Sequence, residues 1–154
     1  MWQRIQTVFL GLVVASMVIG LFLPLLKVME GTKEVQLFPL HFSTIENGQR
    51  ATLYFPYSIT AILMVAAATI AVMEIRRYDN RLTQIKLGTL NSLILAGSLA
   101  SAVYFFTQVA KQYGGGSHLP PVIWIMFIGV ASNWLAVRFI RRDEKLVRDS
   151  DRLR

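Results

Sequence analysis

Two histidines, His41 and His118, are the side chains of this chain best suited to catalysis or metal binding. Both lie outside the long apolar stretches, where Glu30, Glu34 and Glu46 could complete a metal site with them. Their spacing matches no close zinc-binding motif, and the chain has no cysteine that would add a thiolate ligand. The sequence also lacks a P-loop, a Gly-x-Ser-x-Gly and a His-Glu-x-x-His motif. We therefore expect no catalytic residue, no metal ion and no cofactor, and a metal-dependent membrane enzyme is the least favoured function.

A second group of chemically interesting residues consists of polar side chains within apolar stretches, namely Thr69, Asn91 and Asn133. Each lies five residues from a charged residue at the end of its stretch, which is about 7.5 Å along a helix. The three side chains are therefore expected at one depth, where they would form a polar layer of hydrogen bonds between helices. The alternative is that the same residues line a pocket for a polar substrate or a lipid headgroup.

Four apolar stretches must position these residues. They are Val8–Leu26, Leu53–Met73, Leu87–Ala110 and Leu119–Val137, and none contains Asp, Glu, Lys or Arg. A helix needs roughly 20 apolar residues to cross the hydrocarbon of a bilayer, and each stretch is long enough. The chain is 16% charged, against about 25% in soluble domains. We predict a single four-span membrane domain over 1–154, with spans at about 5–26, 54–75, 84–110 and 119–140.

The first stretch could instead be a secretory signal peptide, because Arg4 precedes it as a basic n-region would. However, the stretch is longer than the usual apolar region of about 7–15 residues. Its exit, Leu21–Leu26, contains a proline and shows no Ala-x-Ala cleavage pattern. We therefore expect an uncleaved first span.

The basic residues are distributed unequally around the predicted spans. Twelve of the sixteen lie near the two termini or between spans 2 and 3, and four lie in the segments 27–52 and 111–118. By the positive-inside rule, both termini are expected in the cytoplasm of a multi-pass protein of the bacterial inner membrane. The net charge of +7 then reflects topology and attraction to anionic lipids. We expect no nucleic-acid partner, because no recognition motif accompanies the charge.

The outer loop, 27–53, contains alternating sequences typical of short strands, Glu34–Phe38 and Ala51–Phe55. Between them, Glu46–Gln49 contains the Asn-Gly pair of a tight turn, and Gly31-Thr32 could form an earlier turn. The alternative is an irregular loop with interfacial aromatic residues. The predicted fold class is an all-α membrane protein: an antiparallel four-helix transmembrane bundle with a small extracytoplasmic β-hairpin between spans 1 and 2 and a short cytoplasmic C-terminal helix.

The cytoplasmic tail, 141–154, continues the helical pattern, with Phe139, Leu146, Ser150 and Leu153 near one face. This amphipathic segment could lie on the membrane surface or dock on a partner, or it could be a solvated charged tail that fixes orientation. Its carboxylates could pair with arginines on the same side and form an ion-pair platform that closes the bundle and offers a docking surface. The residues of this predicted surface are Gln3, Arg4, Arg76, Arg77, Arg81, Asp143, Glu144, Arg148, Asp149, Asp151 and Arg152.

The two ends of the chain resemble a known family. Met1–Thr7 opens directly into the first span, and Asn133–Arg138 is followed by the charged segment Arg142–Arg154. Together they resemble an uncharacterised Bacteroidota family of small four-span membrane proteins, the domain of unknown function 4293. Trp2 stands where that family more often has an aliphatic residue. The resemblance implies an inner-membrane, four-span protein and adds no catalytic residue.

The four uncharged apolar stretches argue against pumps and coupled transporters, which place ionisable groups within their spans. We expect a non-enzymatic accessory or scaffold subunit of a larger membrane assembly. The alternative is a small oligomeric transporter or lipid-binding protein that uses the inner-leaflet polar layer. The expected partners are the lipid bilayer and either a second membrane protein or further copies of this chain.

Overall fold

The computed structural model describes residues 3–77, 80–114 and 118–152. The elements in chain order are α1 (Gln3–Phe22), β1 (Leu26–Glu30), β2 (Lys33–Leu37), β3 (Phe42–Glu46), β4 (Gln49–Leu53), α2 (Ser58–Arg76), α3 (Arg81–Tyr113) and α4 (Pro121–Arg152). Each of the four helices is long and apolar enough to cross a membrane. The mostly helical fold with four candidate membrane-spanning helices is therefore as predicted.

The four helices form a ring in which each packs against two others, in the order α1, α2, α3, α4. Their shared core contains Met17, Met64, Leu95 and Met126. Large apolar side chains also cover the outside of the bundle, including Val8, Ile62, Leu93, Trp124 and Trp134. A bundle that is apolar on both its inner and outer faces is what a hydrocarbon environment favours, because lipid tails are as apolar as the core.

The sheet between α1 and α2 is larger than the predicted hairpin. It is an antiparallel meander of four strands in the order β1-β2-β3-β4. The two predicted strands overlap β2 and β4, but they do not pair with each other because β3 lies between them. The prediction of a two-stranded hairpin was therefore wrong in strand number.

Three tight turns account for the extra strands. Gly31 has a φ of 62°, which folds β1 back onto β2. A short turn closed by the Phe38 N–H and the His41 carbonyl oxygen, 2.8 Å apart, returns β3 onto β2. Asn47 and Gly48, at φ 50° and 79°, join β3 to β4. Positive φ at both residues is the geometry that Asn-Gly favours in a hairpin turn.

The longer helices, α3 and α4, extend beyond the others at opposite ends. They have 33 and 32 residues, against 20 in α1 and 19 in α2, or about 50 Å against about 30 Å. At one end, which we call the sheet end, the last turns of α3 pack against β1 and β2. At the other, which we call the basic end, α4 continues without a break to Arg152. The predicted short C-terminal helix is thus the last part of α4.

Candidate functional site

Asn91 on α3 and Asn133 on α4 lie in the interior of the bundle, on the side of the basic end. Both side chains are fully buried. Asn91 Nδ2 donates to Asn133 Oδ1 at 3.2 Å. Asn133 Nδ2 in turn donates to the Gly88 carbonyl oxygen at 3.0 Å and to Ser92 Oγ at 2.8 Å. The structure thus brings together two of the three residues of the predicted polar layer.

The orientation of both amides follows from the Gly88 carbonyl, which can only accept a hydrogen bond. The atom of Asn133 that faces this carbonyl must be Nδ2, so its Oδ1 points to Asn91. Asn91 must then present its own Nδ2 to Asn133. This leaves Asn91 Oδ1 as a buried acceptor, and it has no hydrogen-bond partner among the described residues.

Thr69 does not join this layer, so the prediction was wrong for this residue. Its side chain is on the exposed face of α2, and its hydroxyl donates to the Val65 carbonyl oxygen of the same helix at 2.8 Å. The depth of Thr69 along the helix is similar to that of the asparagines, but its direction around the axis is outward.

Glu74, in the last turn of α2, is buried beside Gly88 of α3. Its side chain has a relative exposure of 0%, and neither carboxylate oxygen has a hydrogen-bond partner among the described residues. A carbon atom added as Cβ at Gly88 would lie 2.8 Å from Glu74 Oε1 and 2.5 Å from Val137 Cγ2. The absence of a side chain at Gly88 therefore provides the space that the carboxylate occupies.

The short connection between α2 and α3 sets the position of Glu74. Asn80 caps α3, with its Oδ1 accepting from the Thr83 N–H at 3.0 Å. Gln84, one turn later, is buried and donates from Nε2 to the Glu74 carbonyl oxygen at 3.0 Å. This bond ties the last turn of α2 to the first turns of α3, and the same carbonyl oxygen also accepts from the Arg77 N–H at 3.3 Å.

At the basic end, Asp143 connects three helices. Its Oδ2 accepts from Gln6 Nε2 on α1 at 2.6 Å, and its carbonyl oxygen accepts from Arg81 Nη1 on α3 at 3.2 Å. The predicted pairing of Arg81 with a tail carboxylate is thus replaced by a bond to a tail carbonyl. Where both partners are described, the ion pairs that the structure shows are Lys27–Glu34 and Lys33–Glu46, both within the sheet.

The other residues of the predicted docking surface differ in exposure. Glu144 is half-buried, and the exposed members are Arg76, Arg77, Arg148 and Asp149. The side chains of Gln3, Arg4, Asp151 and Arg152 lie outside the described part of the structure.

A small groove of about 230 Å³ lies between α3 and α4 near the basic end. Its lining residues are Thr89, Ser92, Trp134, Val137, Arg138 and Arg141. The Arg138 guanidinium lies 5.4 Å from the centre of the Trp134 ring, and Arg141 Nη2 donates to Thr89 Oγ1 at 3.2 Å. Two cations in one groove are suited to a phosphate group, whereas the Thr89 and Ser92 hydroxyls already donate to the carbonyl oxygens of Ile85 and Gly88.

Of the two histidines, His41 is the one held within the fold, at the sheet end. Its ring lies 5.1 Å from the Phe38 ring and 5.9 Å from the Tyr54 ring, measured between centres. Burial, with a contribution from nearby Arg50, holds the pKa of His41 below its usual value. His118 is exposed. In the described residues, no three His, Asp or Glu side chains are grouped closely enough to hold a metal ion.

The family model of a domain of unknown function (DUF4293) matches residues 2–153. The chain belongs to this family. No curated protein matches it. The DUF4293 match covers the whole bundle, the sheet and the basic end, so all of the geometry above lies within the family domain.

In this DUF4293 chain the spacing of small residues in α2 indicates that Glu74 is buried, although Glu74 lies just outside the uncharged apolar stretch. The buried positions of α2 include Met64, Ala67, Ala71 and Glu74, which follow one another at steps of three and four residues. That spacing marks one face of a helix, so the small-residue face leads directly to the carboxylate. The absence of carboxylates from the uncharged stretches therefore does not exclude a carboxylate buried within the helix bundle.

Proposed function

We propose that this protein is a non-enzymatic integral protein of the bacterial inner membrane, acting as an accessory or scaffold subunit of a larger membrane assembly. Both termini and the α2–α3 connection would lie in the cytoplasm, in agreement with the excess of basic residues there. The observation that supports the docking role is the projecting end of α4, which is held by Asp143 and continues past its neighbours.

The bundle-facing side of α4 continues beyond the last residues that it buries. Ile140 is buried, and Asp143 is held against α1 and α3. Leu146 and Val147 follow at three and four residues from Asp143, which places them near the same face. They are 60% and 44% exposed. This face is thus an apolar strip on a helix whose base is fixed, and a helix in this arrangement can dock in a groove of another protein.

The partner suggested by this surface presents an acidic cytoplasmic face. Arg76, Arg77, Arg148 and Lys145 are exposed around the projecting helix. Complementary charge increases the association rate and fixes the orientation, and the apolar pair supplies buried area. Exposed ion pairs contribute little stability, so the apolar contact would decide the affinity.

The test is cross-linking in native membranes followed by separation of intact complexes. We expect Leu146→Ser combined with Val147→Ser to abolish the cross-linked heteromeric complex, while Leu119→Ser, which removes an exposed apolar side chain at the sheet end, leaves its size unchanged. An unchanged complex in the double variant, with the bundle equally stable, would contradict the proposal.

A second candidate function is binding of anionic phospholipid, which the groove between α3 and α4 favours. Arg138 and Arg141 would contact the phosphate, and the exposed Leu90 and Leu93 of α3 would lie along the acyl chains. Native mass spectrometry after mild solubilisation tests this. Retained phosphatidylglycerol should be lost in Arg138→Gln combined with Arg141→Gln and kept in Arg148→Gln. Equal retention in all three proteins would refute this role, and a homo-oligomer with retained lipid would favour it over the scaffold.

A further inference from the structure

Three buried oxygen atoms near Gly88 have no hydrogen-bond donor among the described residues. They are the two carboxylate oxygens of Glu74 and Asn91 Oδ1. Both side chains have a relative exposure of 0%. Buried acceptors are normally paired, and a buried carboxylate without a partner is costly. An arrangement of acceptors without donors is therefore a place where a positive ion would be stabilised.

The two residues that carry these oxygens both lie close to Gly88. Glu74 Oε1 occupies the space beside Gly88 where a Cβ would be. Asn91 lies three residues after Gly88, which puts the two residues on the same face of α3. Neighbouring amide groups donate to other acceptors, Gln84 to the Glu74 carbonyl oxygen and Asn133 to the Gly88 carbonyl oxygen and Ser92 Oγ.

We propose that Glu74 and Asn91 form a binding site for a monovalent alkali cation within the bundle. The ligands would be the Glu74 carboxylate and the Asn91 amide oxygen, both of which are hard oxygen donors. A single carboxylate balances one positive charge, so the site would be neutral when the ion is bound. Calcium sites normally contain several carboxylates, and the described residues offer no group of three acidic or histidine side chains. The site is therefore suited to a monovalent rather than a divalent ion.

The hydrogen-bond chain gives this site its preorganisation. The Gly88 carbonyl orients Asn133, and Asn133 orients Asn91, so that Asn91 Oδ1 is fixed as an acceptor before any ion arrives. Gln84 holds the helix turn that presents Glu74. Each ligand is thus supported by a neighbour that does not itself contact the ion, as is usual around metal sites. This site does not depend on the proposed docking role, since it lies inside the bundle.

The probe is Na⁺, compared with choline at the same ionic strength and a fixed neutral pH. Thermal unfolding of the purified full chain in lipid nanodiscs should shift to higher temperature with Na⁺ and saturate, because an ion that binds only the folded state stabilises it. Glu74→Gln preserves the shape of the side chain and should abolish the shift. Glu30→Gln, the same change at an exposed residue of β1, should retain it.

Direct binding of radioactive ²²Na⁺ to wild-type protein provides a readout that does not depend on the stability of any variant. Saturable binding to wild type that Glu74→Gln abolishes would support the site. No ²²Na⁺ binding and equal melting in Na⁺ and choline would overturn it, as would an unchanged Na⁺ response in Glu74→Gln. Wild type that responds to pH but not to Na⁺ would identify a proton-binding carboxyl and would also overturn the proposal.

Discussion

Asn91 and Asn133, on adjacent helices, are joined by a side-chain hydrogen bond of 3.2 Å in the interior of the bundle. The bond belongs to a chain of donors that begins at Asn91 and ends at the Gly88 carbonyl oxygen. It holds α3 and α4 in one register and fixes which amide oxygen remains available. This relationship connects the packing of the bundle with the proposed cation site.

Replacing Asn133 tests the structural contribution of this chain. We expect Asn133→Leu to lower the free energy of unfolding by about 1–2 kcal/mol, because it leaves the buried Asn91 amide without its partner. Thr69→Val should change it by less than about 0.5 kcal/mol, since Thr69 is exposed. Equilibrium unfolding in mixed detergent measures the free energy of unfolding of both variants. Equal stability of the two variants would contradict the role of the layer.

Gly88 and Gly97, both on α3, provide a test of packing and its control. Gly88→Ala should destabilise by about 1–3 kcal/mol, because its Cβ would lie 2.5 Å from Val137 Cγ2 and 2.8 Å from Glu74 Oε1. At Gly97 the nearest atom to such a Cβ is Leu63 Cδ1 at 3.9 Å, so Gly97→Ala should be neutral or stabilising by up to about 1 kcal/mol. Thermal unfolding compares the stabilities of the two variants. A Gly88→Ala protein more stable than Gly97→Ala would refute the packing argument.

The proposed orientation can be tested by labelling, because the chain contains no cysteine. Single variants Gln49→Cys in the sheet and Lys145→Cys in α4 place one thiol at each end. A membrane-impermeant maleimide added to spheroplasts should label only Gln49→Cys, and lysis should expose Lys145→Cys. The opposite pattern would mean that the basic end faces outward.

The sheet end should respond to acid through His41. Burial lowers the pKa of His41 in the folded chain, so below about pH 6.5 the unfolded chain binds more protons than the folded one. The free energy of unfolding should therefore fall as the pH decreases from that value through the lower folded pKa. His41→Gln should reduce this dependence, whereas His118→Gln should not. The pH dependence is measured by recording the unfolding temperature across this pH range. If the unfolding temperature of His41→Gln falls with pH as steeply as that of wild type, His41 is not the source of the dependence.

The different outcomes for Thr69, Asn91 and Asn133 show what sequence reasoning could reach. Counting from a charged boundary gives depth along a helix, because the rise per residue is constant. The direction of a side chain around the helix axis can be found only relative to a residue that is known to be buried. Thr69 lies two residues beyond buried Ala67, or about 200° around the helix, and this turns it to the outside.

In the sheet, too, some features could be recognised from the sequence and others could not. The Asn47-Gly48 turn could be recognised because its residue types favour positive φ. The turn at Gly31 was likewise indicated by its glycine, but the Phe38–His41 turn that brings β3 to β2 contains no such residue. Local sequence identifies such turns less reliably than it identifies long apolar helices.

The sequence by itself determined the number of long apolar helices, the unequal charge at their ends, the Asn-Gly turn and the family. These follow from composition and local spacing, which the chain contains before it folds. Only the tertiary structure decided that Glu74 is buried beside Gly88 and that Asn91 Oδ1 has no hydrogen-bond donor in the described part of the chain. Both depend on which helix covers which face, and that is settled when the four helices pack together rather than within any one of them.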